Sequence, residues 1–417
     1  MRKRLRAGEL VVFLLSGAIG ACRGPDATRG AALRAEPVDV REWQPRAERG
    51  DPEAQFLVGV AYDEGRTVPA DAVEAARWYG LAAENGHAPA QNNLGLLCYE
   101  GRGVPLSYDE AALWFERAAE QNFAPAQCNL GVMRLAGLGG PRDVEEARTL
   151  LLAAAAHGDG RGDAHAQRVL GSIYEEGVGV PVDEREAALW YRRAAEQGLA
   201  DAQQRLGMQL LLGRGVEMDE AEARTWLRRA AEQDVLLAQF TLGQILLEGR
   251  GGPADPVAAV DWLERAAERG LAEAQTVLGL LQLSGLRVEK DERQGAGWLR
   301  AAAEQGRAEA QYDLGLLHLK GQAVAQDDAE AVRLFEFAAE QGHAAAQERL
   351  GLCYLHGRGR QADIVAACTW LRLAVECGKE SARPNLELAS ASATPEQLAE
   401  AEDAAARWRA EHAVAAP

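Results

Sequence analysis

Two histidines and two aspartates lie close together in one short segment of the sequence. His157, Asp159, Asp163 and His165 offer imidazole and carboxylate groups, which are ligands for divalent metal ions. Three glycines separate them, and the segment contains neither a cysteine nor two histidines at the helical spacing of four. We therefore interpret it as a lengthened loop rather than a metal site, and we expect neither a metal nor a cofactor.

Cysteines are the second group of side chains that could carry chemistry. Cys353 and Cys368 fall at nearly the same level on the two helices predicted around them, so one interpretation is a disulfide between them. The alternative is that both pack as small apolar side chains. If Cys22 is modified, as considered below, an odd number remains and at least one cysteine stays free or pairs between chains. The remaining five are Cys98, Cys128, Cys353, Cys368 and Cys377.

The sequence contains no motif of a known catalytic class. HExxH, GxSxG and P-loop patterns do not occur. Carboxylates are plentiful, but most alternate with arginine or stand where helices are predicted to begin, which indicates solvated or capping roles. The formal net charge is −18. An acidic surface repels phosphate backbones, so we expect no nucleic-acid partner.

The N-terminus has the order of segments found in exported proteins. Four of the first six residues are basic, and an apolar stretch from 10 to 18 follows that is too short to cross a bilayer as a helix. It ends in Ile-Gly-Ala-Cys, which resembles the lipobox of bacterial lipoproteins with Cys22 as the lipidated residue. The alternative is an ordinary secretory signal with an incidental cysteine. Removing residues 1–21 takes away four basic residues and Glu9, which changes the formal charge from −18 to −21.

The segment after Cys22 predicts where the protein resides. Residues 22–37 are rich in glycine, alanine, proline and charge, and we interpret them as a flexible tether. By resemblance to the sorting of lipoproteins, Arg23 rather than an aspartate after the lipidated cysteine favours the outer membrane. We therefore predict a lipid-anchored protein of the bacterial cell envelope, in the outer membrane and facing the periplasm, with the inner membrane as the alternative.

An internal repeat dominates the rest of the sequence. An Ala-Gln pair recurs every 36 residues, with a single interval of 40. A glycine follows each glutamine four residues later (the inner glycine), and another follows six residues after that (the capping glycine). The nine repeat glutamines are Gln55, Gln91, Gln127, Gln167, Gln203, Gln239, Gln275, Gln311 and Gln347.

Each copy predicts two helices. Helix A runs from about the Ala-Gln pair to the capping glycine, which suits a left-handed helix end. Helix B starts at an aspartate or serine, in most copies with Glu or Gln three residues later, and ends in Ala-Ala-Glu-Gln-Gly or a variant of it. A glycine inside a helix costs about 1 kcal/mol relative to alanine. We therefore predict that the inner glycine permits close approach of a neighbouring helix.

These residues resemble a known repeat. The copy from 166 to 198 carries the pattern AQxxLGxxYxxGxGxPxDxxxAxxWYxxAAEQG in full. It resembles Sel1-like repeats, relatives of the tetratricopeptide repeat. The resemblance implies an all-α fold, namely a right-handed α-solenoid of antiparallel helix pairs with about nine copies. It also implies use as a scaffold for other proteins, and it implies no chemistry by itself.

The repeat also sets the predicted domain boundaries. We expect a signal peptide over 1–21, the tether over 22–37 and an N-terminal capping helix over 38–53. Nine repeats follow over 54–380, and a C-terminal capping helix with a tail occupies 381–417. Thr394 and Pro395 are the predicted cap and first residue of that last helix.

The residue after each repeat glutamine and the residue after the inner glycine are four apart, and we predict that both lie on the side of helix A opposite its packing face. The first of these positions is where the copies differ most. Variation within a fixed template is typical of a binding surface, and in a solenoid that surface is the concave groove. The alternative is ordinary variation of surface residues. The residues predicted to line the groove are Phe56, Asn92, Cys128, Arg168, Gln204, Phe240, Thr276, Tyr312 and Glu348.

The sequence therefore favours a non-catalytic scaffold or adaptor. Its expected partners are a protein or peptide in the groove and the membrane through the lipid anchor. One alternative is an envelope hydrolase acting on a β-lactam or peptidoglycan, for which no nucleophile–base pair is evident. Another is a regulator that acts by sequestering a component of a signalling system.

Overall fold

The computed structural model describes residues 39–157, 162–286 and 288–412, so the lipobox and the whole predicted tether lie outside the described residues. Over the described part the protein is all-α, with twenty-one α-helices, one 3-10 turn and no strand. The predicted fold class is therefore confirmed. The chain divides into two compact units, with the boundary between positions 230 and 231.

The first unit consists of a short helix followed by five helix pairs. In each pair the even-numbered helix is helix A and the next helix is helix B. The helices are α1 (Val40–Ala47), α2 (Pro52–Glu64), α3 (Ala72–Glu84), α4 (Ala88–Glu100), α5 (Tyr108–Glu120), α6 (Ala124–Ala136), α7 (Val144–Ala156), α8 (Ala164–Glu176), α9 (Glu184–Glu196), α10 (Ala200–Leu212) and α11 (Glu220–Glu232), whose last turn contains the boundary.

The second unit continues the same alternation for four pairs and ends in two further helices. Its helices are α12 (Leu236–Glu248), α13 (Pro256–Glu268), α14 (Ala272–Ser284), α15 (Glu292–Glu304), α16 (Ala308–Lys320), α17 (Asp328–Glu340), α18 (Ala344–His356), α19 (Ile364–Glu376), α20 (Arg383–Ser392) and α21 (Pro395–His412), with the 3-10 turn Glu380–Ala382 before α20.

Helix ends follow the sequence signals. Asp183 begins α9, and its carboxylate accepts hydrogen bonds from the backbone N–H groups of Arg185 and Glu186. Gly177 ends α8 with φ of 70°, in the left-handed region that glycine enters without strain. The capping residues predicted from the sequence are thus confirmed. Side-chain caps define where helices such as α9 begin, and left-handed glycines define where helices such as α8 end.

The inner glycines lie where helix A meets its own helix B. A Cβ atom placed on Gly171 would lie 2.6 Å from the ring of Tyr191. On Gly207 it would lie 2.7 Å from Cγ of Leu227. Real Cβ atoms do not approach that closely, so the predicted role of the inner glycine is confirmed.

The repeat glutamines connect each helix A to the helix before it. In all nine copies the side-chain Nε2 donates a hydrogen bond to a backbone carbonyl near the end of the preceding helix, at 2.9 to 3.4 Å. Gln91, for example, donates to the carbonyl of Ala83 at 3.0 Å. That carbonyl also accepts from the N–H of Gly86 in the turn that ends the helix, so the glutamine adds a second donor and fixes the next helix A against this turn.

A second glutamine completes this arrangement in several copies. The glutamine of the Ala-Ala-Glu-Gln ending, such as Gln121, donates to Oε1 of the repeat glutamine of its own copy, here Gln91, at 2.8 Å. The same bond joins Gln197 to Gln167, Gln305 to Gln275 and Gln341 to Gln311. We call this the glutamine bridge.

The copy of Gln203 also has a glutamine, Gln233, at the second position, whereas other residues occupy it in the four remaining copies. Asn85, His157, Arg269 and Cys377 stand in place of that glutamine. The corresponding Oε1 atoms of Gln55, Gln127, Gln239 and Gln347 are buried without a hydrogen-bond partner. In these four copies the repeat glutamine therefore donates to the preceding helix, but among the described residues its Oε1 accepts no hydrogen bond from a second side chain.

The ends of the array differ slightly from the predicted boundaries. At the N-terminus, α1 ends at Ala47 and α2 already begins at Pro52. At the C-terminus the structure adds the 3-10 turn and α20 before the predicted terminal helix. Thr394 accepts a hydrogen bond from the backbone N–H of Gln397, as expected of a cap. Ala401 and Ala405 of α21 are completely buried, so this helix covers the last pair.

Candidate functional site

The predicted groove residues do not form an exposed row. Side chains at the position after the repeat glutamine are buried at Phe56, Asn92, Cys128, Gln204 and Thr276. They are half-buried at Arg168, Phe240, Tyr312 and Glu348. The expectation that this position faces away from the packed helices is therefore wrong for the buried members, and whether the half-buried ones bind a partner stays a prediction.

Contacts between neighbouring copies explain that burial. The ring centroid of Phe56 lies 5.9 Å from that of Tyr79 in its own helix B, and 4.9 Å from that of His87 at the start of the next helix A. Tyr312 repeats the arrangement with Phe335 and His343, also at 5.9 and 4.9 Å. At Phe56 and Tyr312 the variable position thus packs between neighbouring copies.

A different row of helix A reaches solvent. One residue further along a helix is rotated by about 100°, because a turn takes about 3.6 residues. We define the helix A stripe as the residue two positions after the repeat glutamine together with the residue after the inner glycine, the second of which belongs to the predicted groove. In copies one to four its members are buried, for example Leu57, Leu96 and Val132.

The stripe is open in the last three copies. Leu280 is 42% exposed and Arg349 is exposed. The other members are half-buried. The stripe residues of these three copies are Val277, Leu280, Asp313, Leu316, Arg349 and Leu352. This part of the second unit is the surface of helix A most accessible to a partner.

Copies two to four hold a group of buried polar side chains. Nδ2 of Asn129 donates to Oδ1 of Asn92 at 2.9 Å, while Oδ1 of Asn129 has no partner. The thiol of Cys128 donates to the carboxylate of Asp163. Burial raises the pKa of Asp163 and lowers that of His165, whose Nδ1 has no hydrogen-bond partner among the described residues. The Asn129–Asn92 and Cys128–Asp163 hydrogen bonds each join neighbouring copies, so these polar groups contribute to the stacking of the array.

Cys353 and Cys368 are not joined by a disulfide in the structure, and none of Cys98, Cys128 and Cys377 forms one among the described residues. Cys353 packs into the apolar cluster shared with α17, whereas Cys368 packs with Ala389 and Ala401 of the terminal helices. The two side chains therefore pack on opposite sides of the last helix pair. The suggested disulfide is not formed, and the alternative of apolar packing describes both residues. Burial raises the pKa of both thiols, which lowers their reactivity.

Part of the suggested metal segment, residues 158–161, lies outside the described residues. Elsewhere in the described chain, no group of three or more histidine, cysteine, aspartate or glutamate side chains is arranged to hold a metal ion. Nor is any described helix both long and apolar enough to cross a membrane.

An open cleft of about 420 Å³ lies between the last helix pair and α21. Tyr354, Ile364 and Gln397 are among its lining residues. Its one carboxylate, that of Asp363, caps α19 by accepting from the backbone N–H of Ala366. The cleft thus has a structural acid and no arrangement of groups that indicates catalysis.

The geometry agrees with the comparisons with known proteins. A search of the curated proteins gives no match. Among solved structures, the chain is similar to a protective antigen present in uropathogenic Escherichia coli strains, which displays an SLR fold. The two are 29% identical, with a TM-score of 0.56, over 98% of this chain and 96% of that one. A Sel1 repeat protein from Oxalobacter formigenes is 30% identical, with a TM-score of 0.54, over 84% of this chain and 94% of the other.

The model of the Sel1 repeat matches most of the chain. Its nine matches cover residues 52–87, 88–123, 124–159, 164–199, 200–235, 236–271, 272–306, 308–343 and 344–379. They begin and end with the helix pairs, and they take in every repeat glutamine. The chain therefore belongs to the Sel1 repeat family.

Proposed function

We propose that this protein is a lipid-anchored scaffold of the bacterial cell envelope that holds a protein or peptide partner on its helix A stripe. Membership of the Sel1 repeat family carries the general part of the proposal, because proteins of this family serve generally as scaffolds for protein interactions. The lipid anchor, and the position of the partner on the helix A stripe, are the parts of the proposal that are specific to this chain.

The accessible stripe of copies seven to nine supports the position. Aliphatic side chains such as Leu280 and Leu316 lie there beside charged ones such as Asp313 and Arg349. Interfaces combine an apolar centre with polar surroundings, and both kinds of group stand here on rigid helices. Few groups capable of catalysis lie together among the described residues. The geometry therefore supports binding as the activity.

The N-terminal sequence supports the anchor. The apolar stretch ending in Cys22 supplies a lipidation signal, and residues after it supply a tether. The similar protein from uropathogenic Escherichia coli is described as a protective antigen, and placement in the envelope is compatible with such a role. An outer-membrane position facing the periplasm is the arrangement we propose.

Metabolic labelling with a fatty-acid analogue tests the anchor. We expect label on the full chain and none on Cys22→Ser, with the wild-type protein floating with outer-membrane vesicles on a density gradient. Equal labelling of the two chains, or recovery of both from the soluble fraction, would refute lipid attachment at Cys22 while leaving the binding surface unaffected.

Site-specific photocrosslinking tests the position of the partner. A photoreactive amino acid is placed at Leu280, and the matched control carries it at Val257, which is 76% exposed on helix B of the copy before. We expect a discrete crosslinked species in cells from position 280 and not from 257. Crosslinks from 257 alone, or from neither position, would contradict binding at the stripe.

A further inference from the structure

One acidic side chain on the stripe lacks any neutralising partner. Asp313 is half-buried on α16, and among the described residues none forms an ion pair with its carboxylate or donates a hydrogen bond to it. Burial, together with nearby Glu309, raises the pKa of Asp313 to about 6. Partly buried charges are normally paired, so this carboxylate requires an explanation.

Asp313 has no evident structural role within its helix. It is the sixth residue of α16, beyond the first turn where acidic side chains cap a helix or favour its dipole. In the other copies this position holds Leu57, Asn93, Asn129, Val169, Arg205, Thr241, Val277 and Arg349. Asp313 is the only acid among them, so the repeat itself does not require a carboxylate.

Aliphatic side chains surround this carboxylate on the stripe. Leu316 lies three residues further along α16, and therefore on the same face of the helix. Leu280 on α14 and Leu352 on α18 occupy the same position in the adjacent copies as Leu316 does in its own. Leu280 is 42% exposed, and the other two are half-buried.

The three helices that carry these residues lie side by side. At one end, Arg307 before α16 pairs with Glu273 of α14, with Nη1 and Oε1 2.9 Å apart. At the other end, Arg358 after α18 donates from Nη2 to the carbonyl of Leu319 in α16, at 2.8 Å. The stripe of copies seven to nine is thus a continuous surface: a row of leucines with one unpaired carboxylate.

The arginines at the two ends of this surface pair with carboxylates other than that of Asp313. Arg307 pairs with Glu273, and Arg358 pairs with Asp328. Arg349 occupies the position of Asp313 in the next copy, but it forms no ion pair with Asp313. The charge that would complement Asp313 therefore does not come from the described part of this chain.

We propose that Asp313, together with Leu280, Leu316 and Leu352, binds a partner segment that presents a lysine or arginine side chain next to an aliphatic residue. This inference rests on the proposed function and names the chemistry of the partner. A cation on Asp313 would replace the water lost on burial, and the leucines would bury the neighbouring aliphatic group and the methylene stem of the cation. The overall negative charge of the chain would favour approach of such a segment.

Selection from a random-peptide library tests the proposal. The full chain, purified in detergent, is the bait, and binding of each selected peptide is then measured by fluorescence anisotropy. We expect enrichment of peptides with lysine or arginine beside leucine, isoleucine or valine. Asp313→Asn should weaken their binding roughly tenfold, the effect of losing one charge-assisted contact of about 1.4 kcal/mol. Binding should also weaken below about pH 6, where Asp313 becomes protonated.

The matched control is Asp261→Asn, which removes an exposed carboxylate from helix B of the same unit. It should leave peptide binding within twofold of the wild type. Folding is checked by thermal melting at pH 7.5, where Asp313→Asn should melt no lower than the wild type because it removes an unpaired, half-buried charge.

Two outcomes would overturn the inference in distinguishable ways. If the selected peptides lack cations, or if Asp313→Asn binds them as Asp261→Asn does, the cationic partner is wrong. The scaffold function survives that result if Leu280→Ser still abolishes their binding. If no peptide is enriched and Leu280 gives no crosslink in cells, both the inference and the binding surface under the proposed function are wrong.

Discussion

At the scale of single residues, the glutamine bridge is the feature that most clearly separates complete copies from incomplete ones. Nine repeat glutamines donate to the preceding helix, but the Oε1 atoms of four are buried without a partner. A buried acceptor without a donor costs about 1–3 kcal/mol. Restoring the donor should therefore stabilise the copy concerned.

Cys377→Gln is the clearest case for such a repair. Cys377 ends α19 at the position that Gln341 holds in the copy before, and Oε1 of Gln347 is the acceptor left without a partner. We expect a gain of about 0.5–1.5 kcal/mol in the free energy of unfolding, measured by urea denaturation. The converse change, Gln341→Ala, should destabilise the chain, because it removes the donor to Gln311. A loss of stability in Cys377→Gln would contradict this account of the bridge.

His343, which caps α18, makes the stability of the contact between the eighth and ninth copies depend on pH. Its Nδ1 accepts a hydrogen bond from the backbone N–H of Ala346, which is possible only while Nδ1 carries no proton. Burial lowers the pKa of His343, and Lys379 lowers it further, while Glu309 opposes the shift; Tyr312 contributes a ring contact. The folded chain therefore favours the neutral imidazole.

The sign of the effect follows from that shift. The contribution of His343 is fully present above its unfolded pKa of 6.5, and it is lost as the pH falls from there through the lowered folded pKa. His343→Asn keeps a capping side chain but does not titrate. In melting curves between pH 7.5 and 5, we expect the wild type to lose more stability than the asparagine variant. Parallel loss in the two proteins would show that His343 does not contribute.

At the scale of the element, the distance between the two helices of a pair is set by the inner glycine. Gly207→Leu would force a side chain into the space of Leu227, where even a Cβ atom is 2.7 Å from Cγ. We expect a loss of about 3 kcal/mol or more in the free energy of unfolding, since overpacking and backbone movement both contribute. Met208→Ala, on the half-buried stripe of the same helix, should cost less. If thermal melting showed the reverse order, the assignment of packed and open faces would be wrong.

The faces of helix A were the part of the element that the sequence could not resolve. The apolar spacing of Ala90, Leu94 and Cys98 indicates one packing face, whereas helix A is packed on several sides by helices of its own and the neighbouring copies. Of the two predicted groove positions, the one after the inner glycine belongs to the open stripe, whereas the one after the repeat glutamine is one residue, or about 100°, away from it. The Phe56–His87 contact depends on how copies stack, which periodicity within one copy does not show.

At the scale of the whole molecule, the fold was predictable because every local signal occurs nine times. Caps, inner glycines and capping glycines each specify a short segment, and repetition removes the ambiguity of any single one. The glutamine bridge corresponds to a constant spacing of thirty residues, as between Gln91 and Gln121 or Gln167 and Gln197, but spacing alone does not show that two side chains on different helices meet. Helix α20 follows an irregular turn without the repeat, and it was missed.

The end of an array of stacked pairs needs a cover. Helix α21 supplies one: Trp408 Nε1 donates to Glu340 at 3.0 Å, and its ring meets that of Trp370 at 6.3 Å. A chain ending at Ala393 should expose the apolar side of α19, so we expect it to self-associate in light scattering coupled to size exclusion. Trp408→Ala should show a milder loss of stability. A monodisperse truncated chain with an unchanged melting temperature would show that α21 is dispensable.

The single long interval between repeats has a practical consequence for handling this protein. Although the chain has extra residues after α7, Gln167 still donates to the carbonyl of Ala155 at 3.3 Å, and the N–H of Asp163 donates to Ala154 at 2.9 Å. The segment therefore leaves and rejoins the helices at neighbouring points, and the register of the following copies is preserved. An epitope tag or a protease cleavage site placed between His157 and Gly162 should thus be accepted, because a longer loop adds little closure entropy. That gives the array a built-in position for labelling.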